Sequence, residues 1–380
     1  MHSHSLYAHT MVRFTVLASG SKGNATVVSG GRTRILVDCG LSCRELFRRM
    51  RLAGEEPETL DAIVITHEHS DHVGGLGVTA RKLNIPVYFT EGTHRAWMRW
   101  LSPRRQMTYA QWLEQIRKQA AERQAEADAA ADEGEPDESD LVEQAESSEE
   151  CDGRGSRFPT LAPEVQNAGP STPVAAATSA QDDSKKGAET VEAVEAQEEA
   201  AEPIEPAKEK DPSWLPAVEY FQAGEPFEIG EIDLSPFTIP HDAADPVGFV
   251  FRAEGVRMGF ATDLGYIPPN VKAQLRGLDL LLLESNHDLE MLRDGPYPWA
   301  VKQRVLSRVG HLSNEAAAEF LENGYDGQAA YVILAHLSES NNLPELARVT
   351  AERALNGRAS LLANMLLLAK QHEALSSIYF

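Results

Sequence analysis

The side chains best suited to chemistry lie in the segment His67–His72, which reads His-Glu-His-Ser-Asp-His. The apolar run Ala62–Ile65 shortly before it predicts a buried strand, so three imidazoles and a carboxylate crowd the exit of one strand. A loop that leaves a strand can direct alternate side chains toward one point, and these groups are common ligands of divalent metals. The alternative is a polar surface turn, but histidine is too uncommon for such a cluster to arise casually. The spacing predicts two neighbouring cation sites, one at His67 and His69 and the other at Asp71 and His72.

Three later residues can complete the two cation sites, because each of them ends or follows a β-like run: His241, Asp263 and His336. Strand ends are the places where a sheet presents ligands to a common point. Asp38 follows another such run, Thr33–Val37, and we expect it to orient a ligand histidine rather than to bind metal. Nitrogen and oxygen ligands without thiolate suit zinc or manganese, and the ligand types do not choose between them.

The order of these residues resembles the pattern of the metallo-β-lactamase superfamily, which has an early Asp, then His-x-His-x-Asp-His, then His, Asp and His. The segments 17–28, 35–40, 279–288, 310–320 and 336–342 resemble, more narrowly, the WalJ/YycJ branch of that superfamily. The resemblance covers residues 12 to about 101 and about 217 to 380. It implies an α/β (α+β) fold, the four-layer αββα sandwich, and nuclease activity with action on DNA 5′ ends.

The same resemblance implies a division of the ligands between two divalent ions, zinc or manganese. It assigns His67, His69 and His241 to one ion, Asp71, His72 and His336 to the other, and Asp263 to both as a bridging carboxylate. Asp71 is therefore counted among the catalytic residues as well as the ligands.

Two residues outside the ligand set resemble a pair found in the tRNA 3′-processing ribonuclease tRNase Z. They are Glu284, which follows an apolar run, and His311, which opens a Gly-His-Leu-Ser segment. The resemblance implies that they protonate the leaving oxygen, and a Glu beside a His suits general-acid catalysis because it raises the pKa of the imidazole and fixes its tautomer. The alternative is a helix-capping loop with an incidental His.

Three further residues are candidates for substrate contacts. Ser313 and Asn314 lie at a predicted helix N-terminus, where free N–H groups favour a phosphate. His287 is a candidate to touch substrate or a metal, and a satisfied loop histidine is an equally open interpretation.

Two cations about 3.5–4 Å apart can bridge a hydroxide and polarise a phosphoryl or acyl oxygen. The leading hypothesis is therefore a dinuclear-metal phosphodiester hydrolase, a DNA exonuclease directed at 5′ ends, with the bridging hydroxide as nucleophile. DNA is favoured over RNA only by the resemblance. The alternative is a small-ester, thioester or lactone hydrolase, which has less need of the Glu284 and His311 pair. A scaffold that binds a partner is a third hypothesis, and the complete ligand set argues against it.

The middle of the chain differs from the rest, because residues 101–210 contain 26 acidic and 11 basic residues. Its richness in Ala, Glu, Pro, Ser and Gln predicts a disordered insertion, with an exposed helix at its start from Gln106 to Ala130 and no structure assigned beyond about Ala130. The protein partner of this insertion is unknown. We expect an extension at 1–10, a first domain part at 11–101, the insertion at 102–213 and a second domain part at 214–380. Outside residues 101–210 the chain is only mildly acidic, and it shows no basic stripe of the kind that binds nucleic acid.

The sequence predicts a cytoplasmic protein without a membrane partner, since it has no long apolar run and no secretory signal at its start. Its three cysteines do not suggest a disulfide framework. Cys39, beside Asp38, is expected to be a buried structural thiol rather than a ligand.

Overall fold

The computed structural model describes residues 11–102, 117–118, 211–356 and 364–380, and it contains two sheets. The first sheet is built mainly from the early strands of the chain. Its strands are β1 (Arg13–Ala18), β2 (Ala25–Gly30), β3 (Thr33–Val37), β4 (Ala62–Val64), β5 (Val87–Phe89), β6 (Val218–Tyr220) and β14 (Ile378–Tyr379). They lie in the order β14-β1-β2-β3-β4-β5-β6. The sheet is antiparallel from β1 to β3 and parallel from β3 to β6.

The second sheet contains the later strands. They are β7 (Phe227–Ile229), β8 (Ile232–Thr238), β9 (Val247–Ala253), β10 (Val256–Ala261), β11 (Leu280–Glu284), β12 (Tyr331–Ala335) and β13 (Met365–Leu368). They lie in the order β13-β12-β11-β10-β9-β8-β7. Strands β10 to β13 are parallel and β7 to β10 are antiparallel.

Helices cover the outer faces of both sheets. Those in the first half are α1 (Cys43–Leu52), α2 (Ser70–Val73), α3 (Leu76–Leu83) and α4 (Glu91–Leu101), with a 3₁₀ turn at Pro57–Thr59. Those in the second half are α5 (Pro269–Gln274), α6 (Leu289–Asp294), α7 (Trp299–Val305), α8 (Asn314–Asn323) and α9 (Pro344–Asn356). Side-chain caps begin two of them: Ser42 Oγ accepts from the third residue of α1, and Ser313 Oγ accepts from Ala316 N.

Alternation along the strands builds three apolar layers. Ile35 and Leu282 face the core between the two sheets, whereas their neighbours Leu36 and Leu281 face outward against helices. Because both faces of each sheet are covered, the central strands are apolar in runs rather than in alternation. The layers run helix, sheet, sheet, helix, which confirms the predicted αββα sandwich.

One edge of the sandwich collects the residues that follow its strands. Strands β3 and β4 are parallel, as are β10, β11 and β12, so the carboxyl ends within each group share an edge. Three residues that directly follow these ends, or follow them by one position, have left-handed backbones, with φ of 60° at Asp38, 60° at Asp263 and 55° at His336. Such conformations cost about 1–3 kcal/mol for residues other than glycine and concentrate at functional sites.

The expected extension at 1–10 and nearly all of the expected insertion at 102–213 lie outside the described residues. All the strands and helices named above belong to one compact unit. None of the described helices combines the length and the apolar character needed to cross a membrane.

Candidate metal centre

Three histidine nitrogens converge at the first predicted cation site. His67 Nε2 lies 3.1 Å from His69 Nδ1, which lies 3.2 Å from His241 Nε2. A proton on His69 Nδ1 could form a hydrogen bond to only one of its two neighbours, whereas a cation between the three nitrogens could be coordinated by all of them. Tetrahedral zinc with Zn–N bonds of 2.0–2.1 Å would separate its ligands by about 3.3 Å, so the three side chains fit such an ion.

Hydrogen bonds behind this site hold two of its imidazoles in the tautomer that a metal needs. His241 Nδ1 lies 3.1 Å from the Gly310 carbonyl oxygen and donates to it, and His67 Nδ1 lies 3.0 Å from Thr66 Oγ1. In both cases Nε2 keeps its lone pair for the cation. Burial lowers the pKa of His67 and of His241, with the neighbouring histidines adding to the effect, so both rings are neutral at pH 7.

The second predicted site combines two carboxylates and two imidazoles. His336 Nε2 lies 3.4 Å from Asp71 Oδ2 and 3.4 Å from Asp263 Oδ1, and His72 Nε2 lies 3.4 Å from Asp263 Oδ2. Asp263 is 2% exposed, and its Oδ2 accepts no hydrogen bond within the described part of the chain. A buried, unsatisfied carboxylate oxygen is costly unless a cation neutralises it. These donors therefore also fit a divalent ion.

Asp263 lies between the two sites. Ligand atoms of His67, His72 and Asp263 all lie within 4.8 Å of one another, and a second such group contains Asp263 and His336. The seven predicted ligands thus meet in one cluster, with the single carboxylate of Asp263 facing members of both ligand sets.

Asp38 supports the second site from behind. Its Oδ2 lies 2.8 Å from His72 Nδ1, while its Oδ1 accepts from Thr66 N at 2.9 Å. Burial by itself would lower the pKa of His72, but Asp38, Asp263 and Asp71 raise it well above the usual value. At His336, burial would likewise lower the pKa, but Asp263 and the other nearby carboxylates raise it well above the usual value. A cation entering this site must displace protons.

Glu284 and His311 form a hydrogen-bonded pair at the edge of the cluster. His311 Nδ1 lies 2.7 Å from Glu284 Oε1 and 3.8 Å from Asp263 Oδ1, and its ring stacks on His336 with 5.2 Å between the centroids. Burial alone would raise the pKa of Glu284, yet His311 and its hydrogen bond lower it to about 2. Burial lowers and Glu284 raises the pKa of His311, and the net direction is upward. An ionised Glu284 therefore favours the protonated form of His311 beside the predicted ligands.

The three predicted substrate residues occupy different environments. Ser313 caps α8 through its own side chain. Asn314 is 2% exposed, its side-chain amide is bonded to Ser285 and Asn342, and its backbone N–H donates to the His287 carbonyl oxygen at 2.8 Å, so it braces the loop behind the cluster. His287 is 1% exposed, and its two ring nitrogens have no hydrogen-bond partner among the described residues.

Several residues that support the cluster were not predicted from the sequence. Thr66 links Asp38 to His67, and its position directly before the first ligand could have indicated this role. Asn24 Nδ2 lies 3.2 Å from Asp71 Oδ2, and Asn286 Nδ2 donates to the His336 carbonyl oxygen at 2.8 Å. These two contacts join segments that are 47 and 50 residues apart, so only the fold reveals them.

Gly40 allows the segment His67–His72 to pack closely against the backbone that follows β3. A Cβ placed there would lie 1.6 Å from the Asp71 carbonyl oxygen, which is backbone and cannot turn away. The Gly40 N–H donates to the Asn24 carbonyl, and the Asn24 N–H donates to the same Asp71 carbonyl at 2.7 Å. Glycine at this position is therefore a requirement of the site's geometry.

Comparison with known proteins agrees with this architecture. The family model described as the metallo-beta-lactamase superfamily matches residues 18–155, and that described as a beta-lactamase superfamily domain matches residues 180–337. The exodeoxyribonuclease YycJ of Bacillus anthracis is 27% identical over 344 residues, 90% of this chain and 89% of that protein. The exodeoxyribonuclease WalJ of Streptococcus pneumoniae is 27% identical over 338 residues, 89% of this chain and 86% of that protein.

A solved structure shows the same fold. The metallo-beta-lactamase fold protein YhfI from Bacillus subtilis superposes with a TM-score of 0.51 at 13% identity, over 96% of this chain and 99% of that one. Together, the matched family models, the two relatives matched along most of their length and the four-layer sandwich leave one assignment. The chain belongs to the metallo-β-lactamase superfamily, as a metal-dependent hydrolase of the branch that resembles WalJ and YycJ.

Proposed function

We propose that this protein is a phosphodiesterase that cleaves nucleic acid, and specifically an exonuclease acting on DNA from the 5′ end with two zinc or manganese ions. The observation that carries the proposal is the 2.7 Å contact between Glu284 and His311 beside the ligands Asp263 and His336. An alkoxide leaving group needs a proton, and this pair places one at the edge of the cluster.

The chain's own residues have distinct roles in this proposal. The seven ligands hold the cations, which would supply activation of water and neutralisation of phosphoryl charge when bound. Glu284 is fully buried and accepts from Leu264 N and Leu312 N through its second oxygen, so its carboxylate is fixed in place. His311, with 23% of its side chain exposed, lies between this carboxylate and solvent. Its Nδ1 faces Glu284, which leaves Nε2 to donate a proton to the leaving oxygen.

The choice of a DNA end as substrate is supported by the two relatives, both named exodeoxyribonucleases, that match along most of their length. Polymer type and direction are therefore the first properties to test.

The experiment is metal-dependent cleavage of 5′-labelled and 3′-labelled DNA and RNA strands, single and duplex, by wild type, Asp71→Ala and His311→Ala. We expect loss of cleavage on chelation and in Asp71→Ala. We expect a rate about 10²–10⁴-fold lower in His311→Ala with metal still bound, which is the usual contribution of a general acid. The proposal fails if no polymer is cleaved while a thioester or lactone is hydrolysed equally by wild type and His311→Ala.

A further inference from the structure

A surface beside the metal centre is built from α7 and the turn that follows it, residues Trp299–Val309, and is called here the α7 surface. The turn is anchored to the centre at two places. Asp242 N donates to the Val309 carbonyl oxygen at 3.0 Å, and His241 Nδ1 donates to the Gly310 carbonyl oxygen at 3.1 Å. A Cβ on Gly265 would lie 2.4 Å from the Arg308 carbonyl carbon, so the backbones are in close contact. The α7 surface thus begins at the ligand loops.

The α7 surface exposes large apolar side chains in an unusual number. Trp299 is 67% exposed, Leu306 is 49% exposed and Val309 is 43% exposed. Helical spacing places Trp299, Gln303 and Leu306 on one face of α7. The helix rises about 1.5 Å per residue, so Trp299 lies about 9 Å along the axis from Val305. Val305 is the residue whose carbonyl oxygen accepts from His311 N at 3.0 Å, so an exposed aromatic side chain lies about 9 Å along α7 from a contact with the His311 backbone.

The charge of this region is opposite to that of the chain as a whole. The chain has 58 acidic residues in 380 and a net charge of −23, yet the 20 residues from Gly295 to Asn314 contain no acidic residue and three basic ones. The basic residues are Lys302, Arg304 and Arg308. Because this segment carries no carboxylate, it repels a polyanion less than the acidic segments of the chain do.

The three basic side chains differ in how free they are to bind a phosphate. Lys302 is 9% exposed and donates to the Arg293 carbonyl oxygen, and Arg304 is paired with Asp242. Arg308 is exposed, its guanidinium carbon lies 4.4 Å from the Tyr266 ring centroid, and it has no carboxylate partner among the described residues. Stacking on Tyr266 holds the guanidinium in position while its N–H groups remain free for a phosphate.

We propose that the α7 surface binds a single-stranded stretch of the nucleic-acid substrate, with Trp299 stacked on an unpaired base and Arg308 bound to a backbone phosphate. The inference rests on the proposed function. Exposed aromatic side chains combined with basic groups suit unpaired strands, since every base offers a face for stacking and a duplex hides those faces. Stacking and phosphate contacts of this kind do not depend on the base sequence of the strand.

Steady-state kinetics on end-labelled single-stranded DNA test the α7 surface, with a bis-nitrophenyl phosphate diester as a reference substrate that has no base to stack. We expect Trp299→Ala to raise KM for the strand about tenfold and Trp299→Phe to restore most of the loss. We expect Arg308→Ala to reduce the slope of log KM against log salt by about 0.7, the contribution of one phosphate contact on a single strand. Tyr379→Ala is the aromatic control, since Tyr379 is 48% exposed and pairs with Arg13 at the far end of β1.

The outcomes separate the two proposals. If wild type cleaves no nucleic acid, the proposed function fails. If wild type cleaves DNA and Trp299→Ala behaves like Tyr379→Ala, only the α7 surface is refuted. Equal losses on the strand and on the nitrophenyl diester would show a structural role and would also overturn it. A change in oligomeric state without a change in KM would assign the surface to a second copy of the chain and would contradict the proposal.

Discussion

Asp38→Asn is the substitution that tests how the metal centre is supported. Asp38 is fully buried, and its carboxylate faces His72 Nδ1 at 2.8 Å, Thr66 N at 2.9 Å and Thr66 Oγ1 at 3.0 Å. Asparagine has the same shape but only one acceptor oxygen, so its NH₂ group must face either the imidazole N–H or the Thr66 N–H. One charge-assisted hydrogen bond is lost, and the NH₂ group faces another N–H donor with no acceptor between them.

The expected magnitude follows from that loss. Removing an outer partner of a metal ligand weakens metal binding about 10–100-fold, which corresponds to about 1.4–2.7 kcal/mol. A hydrogen bond to a charged group contributes about 1.5–3 kcal/mol, so the two figures agree. We expect the larger loss at the site of His72, because Asp38 contacts that ligand directly.

Competition titration against a chromophoric chelator measures both dissociation constants. Asp61→Asn is the matched control, since the Asp61 carboxylate also accepts a backbone N–H, from Arg34 at 2.8 Å, but it is exposed. The reasoning is refuted if Asp38→Asn folds normally, as judged by thermal unfolding, and binds both ions as tightly as Asp61→Asn does.

Three further predictions follow from the same geometry. Gly40→Ala should displace the Asp71 backbone and lower the free energy of unfolding by about 1–3 kcal/mol, measured by denaturant titration, and an unchanged value would contradict the steric argument. Because the pKa values of His72 and His336 are raised, the metal-free protein holds protons on these rings, so metal binding should release protons and become tighter as pH rises. Calorimetry in buffers of different ionisation enthalpy counts the released protons, and a count of zero would contradict this prediction. Burial raises the pKa of Cys39 to about 12, so Cys39→Ser should leave metal stoichiometry by elemental analysis unchanged, and a lost ion would make the thiol a ligand.

The fold was predictable because its signals are local. The apolar run Thr33–Val37 and the helix N-terminus at Ser313 and Asn314 are visible in the sequence, and the structure confirms both. The order of the ligands was likewise visible, since each of them follows a strand.

The supporting contacts were not predictable, because they depend on which strand ends meet. The role of Thr66 between Asp38 and His67 requires β3 and β4 to be neighbours. The bonds from the Asn314 side chain to Ser285 and Asn342 likewise depend on which loops the fold brings together. Helices α6 and α7 were not anticipated, since their short segments carry little periodic signal.

The central claim is that nucleic acid is cleaved at a centre that needs two cations. The most direct measurement is the rate of cleavage of labelled DNA as metal is added back to chelator-stripped protein, with bound metal counted by elemental analysis. The ligand geometry predicts a rate that rises until two ions are bound per chain and then stays constant. Full activity with one ion, or cleavage by protein that holds none, would contradict it.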